Sequence, residues 1–399
     1  MSVAADQPPR ESFRIDMLWT DARYRSGFIQ TIALMLVMLL FAWLVDNTIT
    51  NLEALGKDFN FAFLWQPASY DINQRLVEYD SRDTNARAAF VGILNTLLVA
   101  FLGCLTATVL GVIAGVLRLS KNWLVARLMS VYVEGFRNVP LLVWILMINA
   151  AVTETLPAPS FYRGAETGAF IATNRGFYTP APIWGEGSWL VVLVFLASLV
   201  GIWAWRRHAR LKQEATGEQS PVFLVSLAIL IAPSLLAFFV MGMPITLEYA
   251  TIQRFNFEGG VFIQRPLVSM WLALSLYTGA FVAEIVRSGI LSVSHGQTEA
   301  AFALGLRPNR TMSLIILPQA LRVIVPPLIS QYLNLTKNSS LAIAVGYMDA
   351  TGTLGGITLN QTGREMECIL LLMAFYLTVS LTISSVMNWY NSRVKLVER

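Results

Sequence analysis

The chain has 399 residues, of which 55% are hydrophobic and only 14% are charged, and its formal net charge is +4. A mean hydropathy of +0.56 excludes an ordinary soluble domain and indicates an integral membrane protein that lies in a lipid bilayer. The excess of basic residues in such a protein is explained by cytoplasmic loops, so we expect no nucleic-acid partner. The two cysteines, Cys104 and Cys368, lie in or beside apolar segments and predict no disulfide framework.

The apolar segments predict an all-α integral membrane protein with about eight transmembrane helices. A helix needs about 20 mostly apolar residues to cross a bilayer. The qualifying segments are residues 27–46, 91–117, 128–150, 188–205, 222–243, 267–290, 321–345 and 368–389. No small-residue cleavage site follows the first of them, so we expect a retained span preceded by a cytoplasmic tail, residues 1–26.

Basic residues are distributed unequally between the two sides of the predicted bundle. With the N-terminus in the cytoplasm, 18 of the 29 Lys and Arg residues lie on the inner side and nine on the outer side. The positive-inside rule therefore predicts that both termini are cytoplasmic. The same orientation places the loop between the sixth and seventh segments, residues 294–318, in the cytoplasm.

This cytoplasmic loop has the local signals of a short helix. Ser294 and Gln297 form a capping-box pattern, Gly305 is suited to a left-handed C-terminal position, and Pro308 prevents continuation. Its side chains are either small or isolated apolar anchors: Ala300, Ala301, Phe302, Ala303 and Leu304. Such a face is suited to docking in a partner's groove. The alternative is an amphipathic helix at the membrane interface with a solvated Glu299.

The spelling E-A-A-x3-G-x9-I-x-L-P, from Glu299 to Pro318, resembles the cytoplasmic loop of permease subunits of bacterial ABC importers. Residues 136–143, F-R-N-V-P-L-L-V, are similar to the F-R-G-T-P-L-L-V of the polar amino-acid permeases, the HisMQ-like family, and depart from it at Asn138 and Val139. Residues 277–287, Y-T-G-A-F-V-A-E-I-V-R, precede the loop as they do in that family. The eight-span layout resembles the first permease subunit of general L-amino-acid transporters.

The resemblance implies a type I ABC importer permease fold with a five-helix core. The core would be the segments at 91–117, 128–150, 267–290, 321–345 and 368–389. Residues 1–26 would then be the tail, 27–90 the first span with a long periplasmic loop, and 91–399 the permease domain. Within that domain, residues 153–266 would be an insertion carrying two extra helices. We interpret the part at 153–187, rich in Pro and Gly, as an irregular loop, and 47–90 as a loop that could hold short helices.

The partners implied by the resemblance are two copies of an ABC ATPase subunit, a related but distinct second permease, and a periplasmic amino-acid-binding protein. ATP and Mg²⁺ would bind to the ATPase, and this chain would bind no cofactor or metal and would not be an enzyme. The expected location is the bacterial inner membrane. The residues that would dock on the ATPase are Glu299, Ala300, Ala301, Phe302, Leu304 and Gly305.

A polar patch occupies the second half of the seventh segment: Asn334, Lys337, Asn338, Ser339 and Ser340. A charge in the middle of a membrane costs at least about 2.5–3.5 kcal/mol, so Lys337 should face a cavity or a partner rather than lipid. One interpretation makes the patch part of the substrate pathway, and the resemblance favours it. The other is a buried pair with an acid from another span, or a lysine that snorkels to the surface.

Two pairs of opposite charges at a spacing of three residues lie near predicted inner helix ends, Glu284 with Arg287 and Glu134 with Arg137. We interpret both as structural i,i+3 pairs, with a gating contact as the alternative for the first. Pro140 is expected to remove one helix hydrogen bond and kink its span.

A hypothesis from a different class is a secondary transporter or channel. It would need intramembrane acids for ion coupling, whereas the predicted spans contain few acids apart from Glu134 and Glu284, both near inner ends. A membrane-bound enzyme has less support, because the sequence has no phosphate-loop spelling, no nucleophile elbow and no cluster of metal ligands. Uptake driven by an ion gradient without an ATPase would favour the secondary transporter.

Overall fold

The computed structural model describes residues 16–54, 56, 58–163, 168–218, 220–253 and 256–394. Most of these residues are helical, and eight helical segments are long and apolar enough to cross a membrane, which confirms the predicted number of spans. The chain divides into two compact units, residues 1–64 and 65–399. Residues 1–15 of the predicted cytoplasmic tail, and the last five residues of the chain, lie outside the described residues.

The first unit contains α1 (Met17–Thr20) and α2 (Ala22–Ala54). Trp19 and Phe28 pack edge to face, with ring centroids 5.0 Å apart. The candidate span within α2 is Tyr24–Asn51, which confirms the first predicted segment and extends it at both ends. No proline occurs between these residues, so nothing interrupts the backbone hydrogen bonds of the span.

The helices of the second unit carry the predicted core. They are α3 (Asn85–Leu117), α4 (Trp123–Asn138), α5 (Leu141–Thr155), α6 (Ser188–Thr216), α7 (Val222–Val240), α8 (Arg265–Leu291), α9 (His295–Ala303), α10 (Pro308–Thr311), α11 (Leu317–Asn338), α12 (Leu359–Thr362) and α13 (Glu365–Val394). Short 3-10 helices occupy Ala62–Trp65, Pro159–Tyr162 and Ser339–Val345. Single π-helical segments occupy Met312–Ile316 and Thr351–Thr358.

Helix α8 is the centre of this unit, because 67% of its most apolar stretch is buried, against none for α13. It runs parallel to α3 at very short range. A Cβ atom on Gly111 would lie 2.5 Å from the Cβ atom of Val282, and one on Gly115 would lie 2.6 Å from the carbonyl oxygen of Ala283. The two glycines therefore allow the backbones to approach more closely than any side chain would permit.

Around α8, the helices α3, α5 and α11 complete one hydrophobic core, in which Ile145, Met270, Leu274 and Leu335 are fully buried. We call the end of this core next to α9 the α9 end. The opposite end, where α3 and α8 begin, is the far end.

The segment predicted at 128–150 is not a single helix, and the prediction of a kinked span is wrong. α4 ends at Asn138, Val139 is extended at φ −112° and ψ 136°, and α5 begins after Pro140. The residue before a proline is driven out of the helical region, and the proline has no N–H to donate, so the helix ends instead of bending. The candidate span is Leu141–Tyr162.

The seventh span is much longer than the predicted 321–345. The candidate span is Pro308–Val345, in which α10, a π-helix, α11 and a 3-10 helix follow one another. Pro326 and Pro327 lie inside α11 without ending it. The helical segments before α11 therefore join the loop after α9 to the bundle without a break in helical structure.

The expectation of an irregular loop at 153–187 is wrong, because this region contains three strands, β1 (Ile171–Thr173), β2 (Gly176–Thr179) and β3 (Ala181–Trp184). Four more strands follow α7: β4 (Ile245–Glu248), β5 (Thr251–Ile252), β6 (Phe257–Glu258) and β7 (Val261–Gln264). All pairs are antiparallel, in the orders β1-β2-β7, β3-β4 and β5-β6. Residues before α6 thus pair with residues after α7, which sequence-local signals do not reveal. The boundaries 153–266 of the proposed insertion stay a prediction.

The later part of the predicted 47–90 loop, residues 67–84, is mostly non-helical and folds onto the beginning of α3. Its buried side chains Ala68, Tyr70, Ile72 and Tyr79 form a cluster with Val91 of α3. The phenolic hydroxyl of Tyr79 donates to the carbonyl oxygen of Tyr70 at 2.8 Å. This segment is therefore part of the far end of the core.

Candidate docking loop and polar sites

Helix α9 forms where the loop signals predict it, and its C-terminus has a complete Schellman motif. Gly305 has φ +75°, its N–H donates to Phe302 at 2.9 Å, and the N–H of Leu306 donates to Ala301 at 3.1 Å. At the other end Ser294 is the N-cap residue, but its hydroxyl makes no capping hydrogen bond, so the predicted capping box is not formed. An exposed contact between His295 and Glu299 at 3.1 Å occupies that end.

The exposed face of α9 carries large apolar side chains as well as small ones. Phe302 is 49% exposed and Leu304 is 80% exposed, and Glu299, Ala300 and Gly305 are also exposed. Ala301 is only 1% exposed, so this member of the predicted docking set faces the chain itself and is not available to a partner. The remaining residues form two apolar anchors beside a fixed helix end.

At the α9 end of the core, Glu284 of α8 is surrounded by three arginines. Its carboxylate pairs with Arg118 at the end of α3, with Arg287 at 3.3 Å and with Arg137 at 3.7 Å. The predicted i,i+3 pair with Arg287 is therefore present. The interpretation of Arg137 as a partner of Glu134 is wrong, because Arg137 reaches across to α8. We call these four residues the arginine cluster.

Two further contacts fix the arginine cluster in place. The guanidinium of Arg137 lies 5.3 Å from the ring centroid of Phe281, at cation–π range, and Arg118 lies 3.4 Å from the hydroxyl of Ser130. Arg137 comes just before the break at Pro140, so the break places the end of α4 against α8. Spacing within one helix could not indicate contacts between three helices.

The polar patch lies in and just after the last turn of α11, not in the middle of its span as predicted. Asn334 and Lys337 are exposed, and Asn338 and Ser340 are partly exposed. Ser339 is fully buried and donates to the carbonyl oxygen of Thr336 at 2.7 Å, so it is satisfied within its own helix. No acid pairs with Lys337 among residues 16–394 that the structure describes, which argues against the buried-pair interpretation.

A set of buried polar contacts at the far end was not recognised as a site in the sequence. The amide nitrogen of Asn95 donates to the carbonyl oxygens of Gln74 at 2.7 Å and Met348 at 2.8 Å. The N–H of Ala350 donates to the hydroxyl of Thr96 at 3.0 Å. We call these contacts the far-end latch, because they tie α3 to two segments distant in sequence. The only local signal was an Asn-Thr pair in an apolar helix.

Asp349 lies beside the far-end latch and is fully buried. One carboxylate oxygen accepts from the N–H of Gly352 at 2.8 Å, and the other lies 3.5 Å from the hydroxyl of Tyr376. Burial raises the pKa of Asp349 to about 7, and these hydrogen bonds offset only part of the effect. Burial also raises the pKa of the neighbouring Tyr347 hydroxyl, so that group stays neutral at physiological pH.

Comparison with known proteins identifies the family of this chain. The family described as "Binding-protein-dependent transport system inner membrane component" matches residues 215–396. The chain is 53% identical to the glutamate/glutamine/aspartate/asparagine transport system permease protein BztB of Rhodobacter capsulatus, over 100% of both chains. The chain belongs to the permease subunits of amino-acid ABC transporters. This membership confirms the predicted family and its role in amino-acid import.

The permease is also 42% identical to the general L-amino acid transport system permease protein AapQ of Rhizobium johnstonii, over 97% of its own length and 96% of that protein. Among solved structures, a chain from a crystal structure of an amino acid ABC transporter with histidines is 20% identical and covers 77% of the permease and 94% of that chain, with a TM-score of 0.46. Permease subunits of this family are not themselves catalytic. The permease is a multi-pass protein of the inner membrane.

Proposed function

We propose that this permease moves L-amino acids from the periplasm to the cytoplasm and is driven by two copies of a separate ATPase that hold ATP and Mg²⁺. The chain itself binds no cofactor, and its loop 294–318 docks on the ATPase. A related but distinct permease completes the pathway, and a periplasmic binding protein delivers the substrate. Both termini lie in the cytoplasm, as the distribution of basic residues predicts.

The exposed face of α9 is the observation that supports this coupling. Phe302 and Leu304 project from a helix whose C-terminus is held by a complete Schellman motif, so the anchors keep one geometry without a partner. Only Ser292, Val293 and Ser294 separate α9 from the end of α8. A push on α9 therefore reaches the most buried helix of the core directly. Preorganised apolar anchors are what a groove-binding helix needs.

Truncation of the most exposed anchor tests the docking. Leu304→Ala removes a side chain that is 80% exposed, so we expect little loss of permease stability. Loss of one buried anchor in the complex is expected to weaken ATPase binding by about tenfold or more. The measurement is the amount of ATPase that copurifies with the permease, together with ATP-dependent uptake in proteoliposomes.

The matched control is Leu211→Ala, which truncates a leucine that is 55% exposed near the C-terminus of α6. In the proposed topology this residue lies on the same side of the membrane as α9. Copurification and uptake should be unchanged by this substitution. Equal ATPase recovery from the two variants and the unaltered permease would rule out docking through α9.

We further propose that the polar patch at the end of α11 lines the substrate pathway. Lys337 is exposed on the same helix face as Asn334, and no acid pairs with it among the described residues. A cation left without a partner in a membrane protein requires an anionic or polar environment. Two relatives are named as permeases for amino acids, one of them for glutamate, aspartate and their amides. A carboxylate of the substrate would supply the missing charge.

Substitution at Lys337 tests this pathway. We expect Lys337→Gln to reduce uptake of glutamate and aspartate about tenfold, because a charge-assisted hydrogen bond to the carboxylate is lost, and to reduce glutamine uptake less. Lys337→Arg keeps the charge and is expected to keep most of the uptake. The same loss for charged and neutral substrates would contradict recognition of a side-chain carboxylate.

A further inference from the structure

The arginine cluster has an imbalance of charge that the permease itself does not correct. Glu284 is one carboxylate against three guanidinium groups, those of Arg118, Arg137 and Arg287. No other described acid makes an ion pair with the three arginines, and Glu134, one turn before Arg137, is exposed to solvent. The cluster therefore has a net charge of about +2.

Two of the arginines can reach a ligand from outside. The side chain of Arg137 is 39% exposed and that of Arg287 is 37% exposed, whereas Arg118 is only 10% exposed. Glu284 and Phe281 already hold the guanidinium of Arg137 in position. The entropy cost of organising two donors for an anion is therefore low, and guanidinium groups bind phosphate oxygens through paired hydrogen bonds.

The surface next to the cluster is apolar. On α4, Leu124, Leu128 and Val131 recur at spacings of four and three residues, and they are 56%, 55% and 61% exposed. Leu142 and Val143, directly after the break at Pro140, are 39% and 49% exposed. Leu124, Leu128 and Val131 lie on a different face of α4 from Arg137, but Leu142 and Val143 begin the exposed apolar surface of the candidate span Leu141–Tyr162 within six residues of Arg137. A soluble anion has no use for such an apolar surface, but acyl chains do.

We propose that the arginine cluster binds the phosphate of an anionic phospholipid, with the acyl chains along the exposed apolar surface at the start of α5. Basic pockets between transmembrane helices are known to hold such headgroups. The lipid would neutralise the excess charge at the end of α8, directly before α9. In the orientation proposed above this is the cytoplasmic leaflet, but the charge and the apolar surface do not depend on that orientation or on docking of the ATPase.

The test is a titration of the purified, assembled transporter in neutral detergent with phosphatidylglycerol or phosphatidylcholine, followed by native mass spectrometry. We expect the unaltered protein to retain phosphatidylglycerol in preference to phosphatidylcholine. The double variant Arg137→Gln, Arg287→Gln should lose about tenfold or more in affinity for phosphatidylglycerol, because two charge-assisted contacts are removed. Arg127→Gln is the matched control on an exposed face of α4 and should change nothing.

A second variant and a second probe keep the test decisive if the double variant is unstable. Glu284→Gln removes the one acid and should increase the retention of phosphatidylglycerol, whereas a purely structural cluster would show no gain. Equal lipid retention in all variants would overturn the proposal. Inorganic phosphate that displaces the lipid at low millimolar concentration, or that stabilises the transporter equally in its absence, would assign the cluster to a free anion and also overturn it.

Discussion

The two ends of the core are held together by different interactions. At the α9 end, Glu284 joins α3, α4 and α8 through ion pairs whose side chains are 10% to 39% exposed. At the far end, Asn95 and Thr96 join α3 to residues 74 and 348–350 through hydrogen bonds between neutral groups that are buried or partly buried. Both ends connect helices that are remote in sequence, but only the α9 end does so with charges that water can reach.

This difference implies that the contacts at the two ends respond differently when the helices they join move apart. Partly exposed ion pairs are screened by solvent and contribute little, so they can be exchanged at little cost. Buried neutral hydrogen bonds are expensive to leave unmade, because the separated groups find no water. We therefore expect the ion pairs of the α9 end to be broken one at a time at little cost. The hydrogen bonds of the far-end latch should instead form or break together. The following substitutions test that expectation.

The largest effect is expected from Asp349, the buried acid of the far end. Its pKa of about 7 lies above the usual value for an aspartate, so the folded protein binds the proton more tightly than the unfolded chain does. The contribution of this group to stability is then fully present below about pH 4 and is lost as the pH rises through about 7. Asp349→Asn removes this dependence and, at pH 8, should raise the free energy of unfolding by up to about 4 kcal/mol.

Denaturant unfolding of the purified permease at pH 5 and pH 8 measures this effect. Asp71→Asn changes an exposed acid of the segment that packs on α3 and serves as the control. A wild-type protein whose stability does not decrease between these pH values would show that Asp349 does not limit the far end.

The next effect is expected from Asn95→Ala. The substitution leaves the carbonyl oxygens of Gln74 and Met348 without their donor in a partly buried place, so the expected loss of stability is about 2 kcal/mol. Asn360→Ala removes a bond of the same type, from an exposed side chain to the carbonyl oxygen of Gly356 at 2.7 Å. That control should cost less than about 0.5 kcal/mol, because water replaces the lost donor. Similar losses in both variants would mean that burial is not what makes the latch strong.

The smallest effect is expected from Glu284→Gln at the α9 end, a loss of about 1.5 kcal/mol at low salt. Its signature is the response to salt. Added salt should destabilise the unaltered protein slightly, because it screens the attraction to the arginines, but should stabilise the variant by screening their mutual repulsion. Glu214→Gln, in an exposed i,i+4 pair with Arg210, should leave the salt response unchanged. If stability depended on salt in the same way with and without Glu284, electrostatic attraction between Glu284 and the arginines would not be what joins the helices at the α9 end.

Local signals predicted the number of spans and the short helix α9, since both depend on residues that are neighbours in sequence. Gly305 ends α9 because only a residue without a Cβ enters the left-handed region at no cost. The same kind of reasoning misjudged Pro140, where a predicted kink is a complete break. It also missed the strands, because β2 pairs with β7 about eighty residues later.

The candidate sites divide in the same way. Glu284 and Arg287 are three residues apart, so their ion pair was predictable, whereas Arg118 and Arg137 reach Glu284 from other helices. Ala301 belongs to the sequence motif from which docking was predicted, yet it is buried. A sequence motif does not show which side of a helix packs against its own chain. Lys337 was recognised as costly to bury, but its place in the last turn of α11 was not predicted. The candidate span begins at Pro308 and not at residue 321, so Lys337 lies well past its middle.

The amino-acid sequence by itself determined that this protein crosses a membrane eight times, which family it resembles, and where a helix projects between two spans. These properties follow from hydropathy and from steric rules that act over a few residues. Only the tertiary structure decided that α3 and α8 lie in backbone contact, that three arginines share one glutamate, and that Asn95 and Asp349 close the far end. Apart from the pair of Glu284 with Arg287, those contacts join residues between about 20 and 250 positions apart, and no local rule specifies which distant groups will meet.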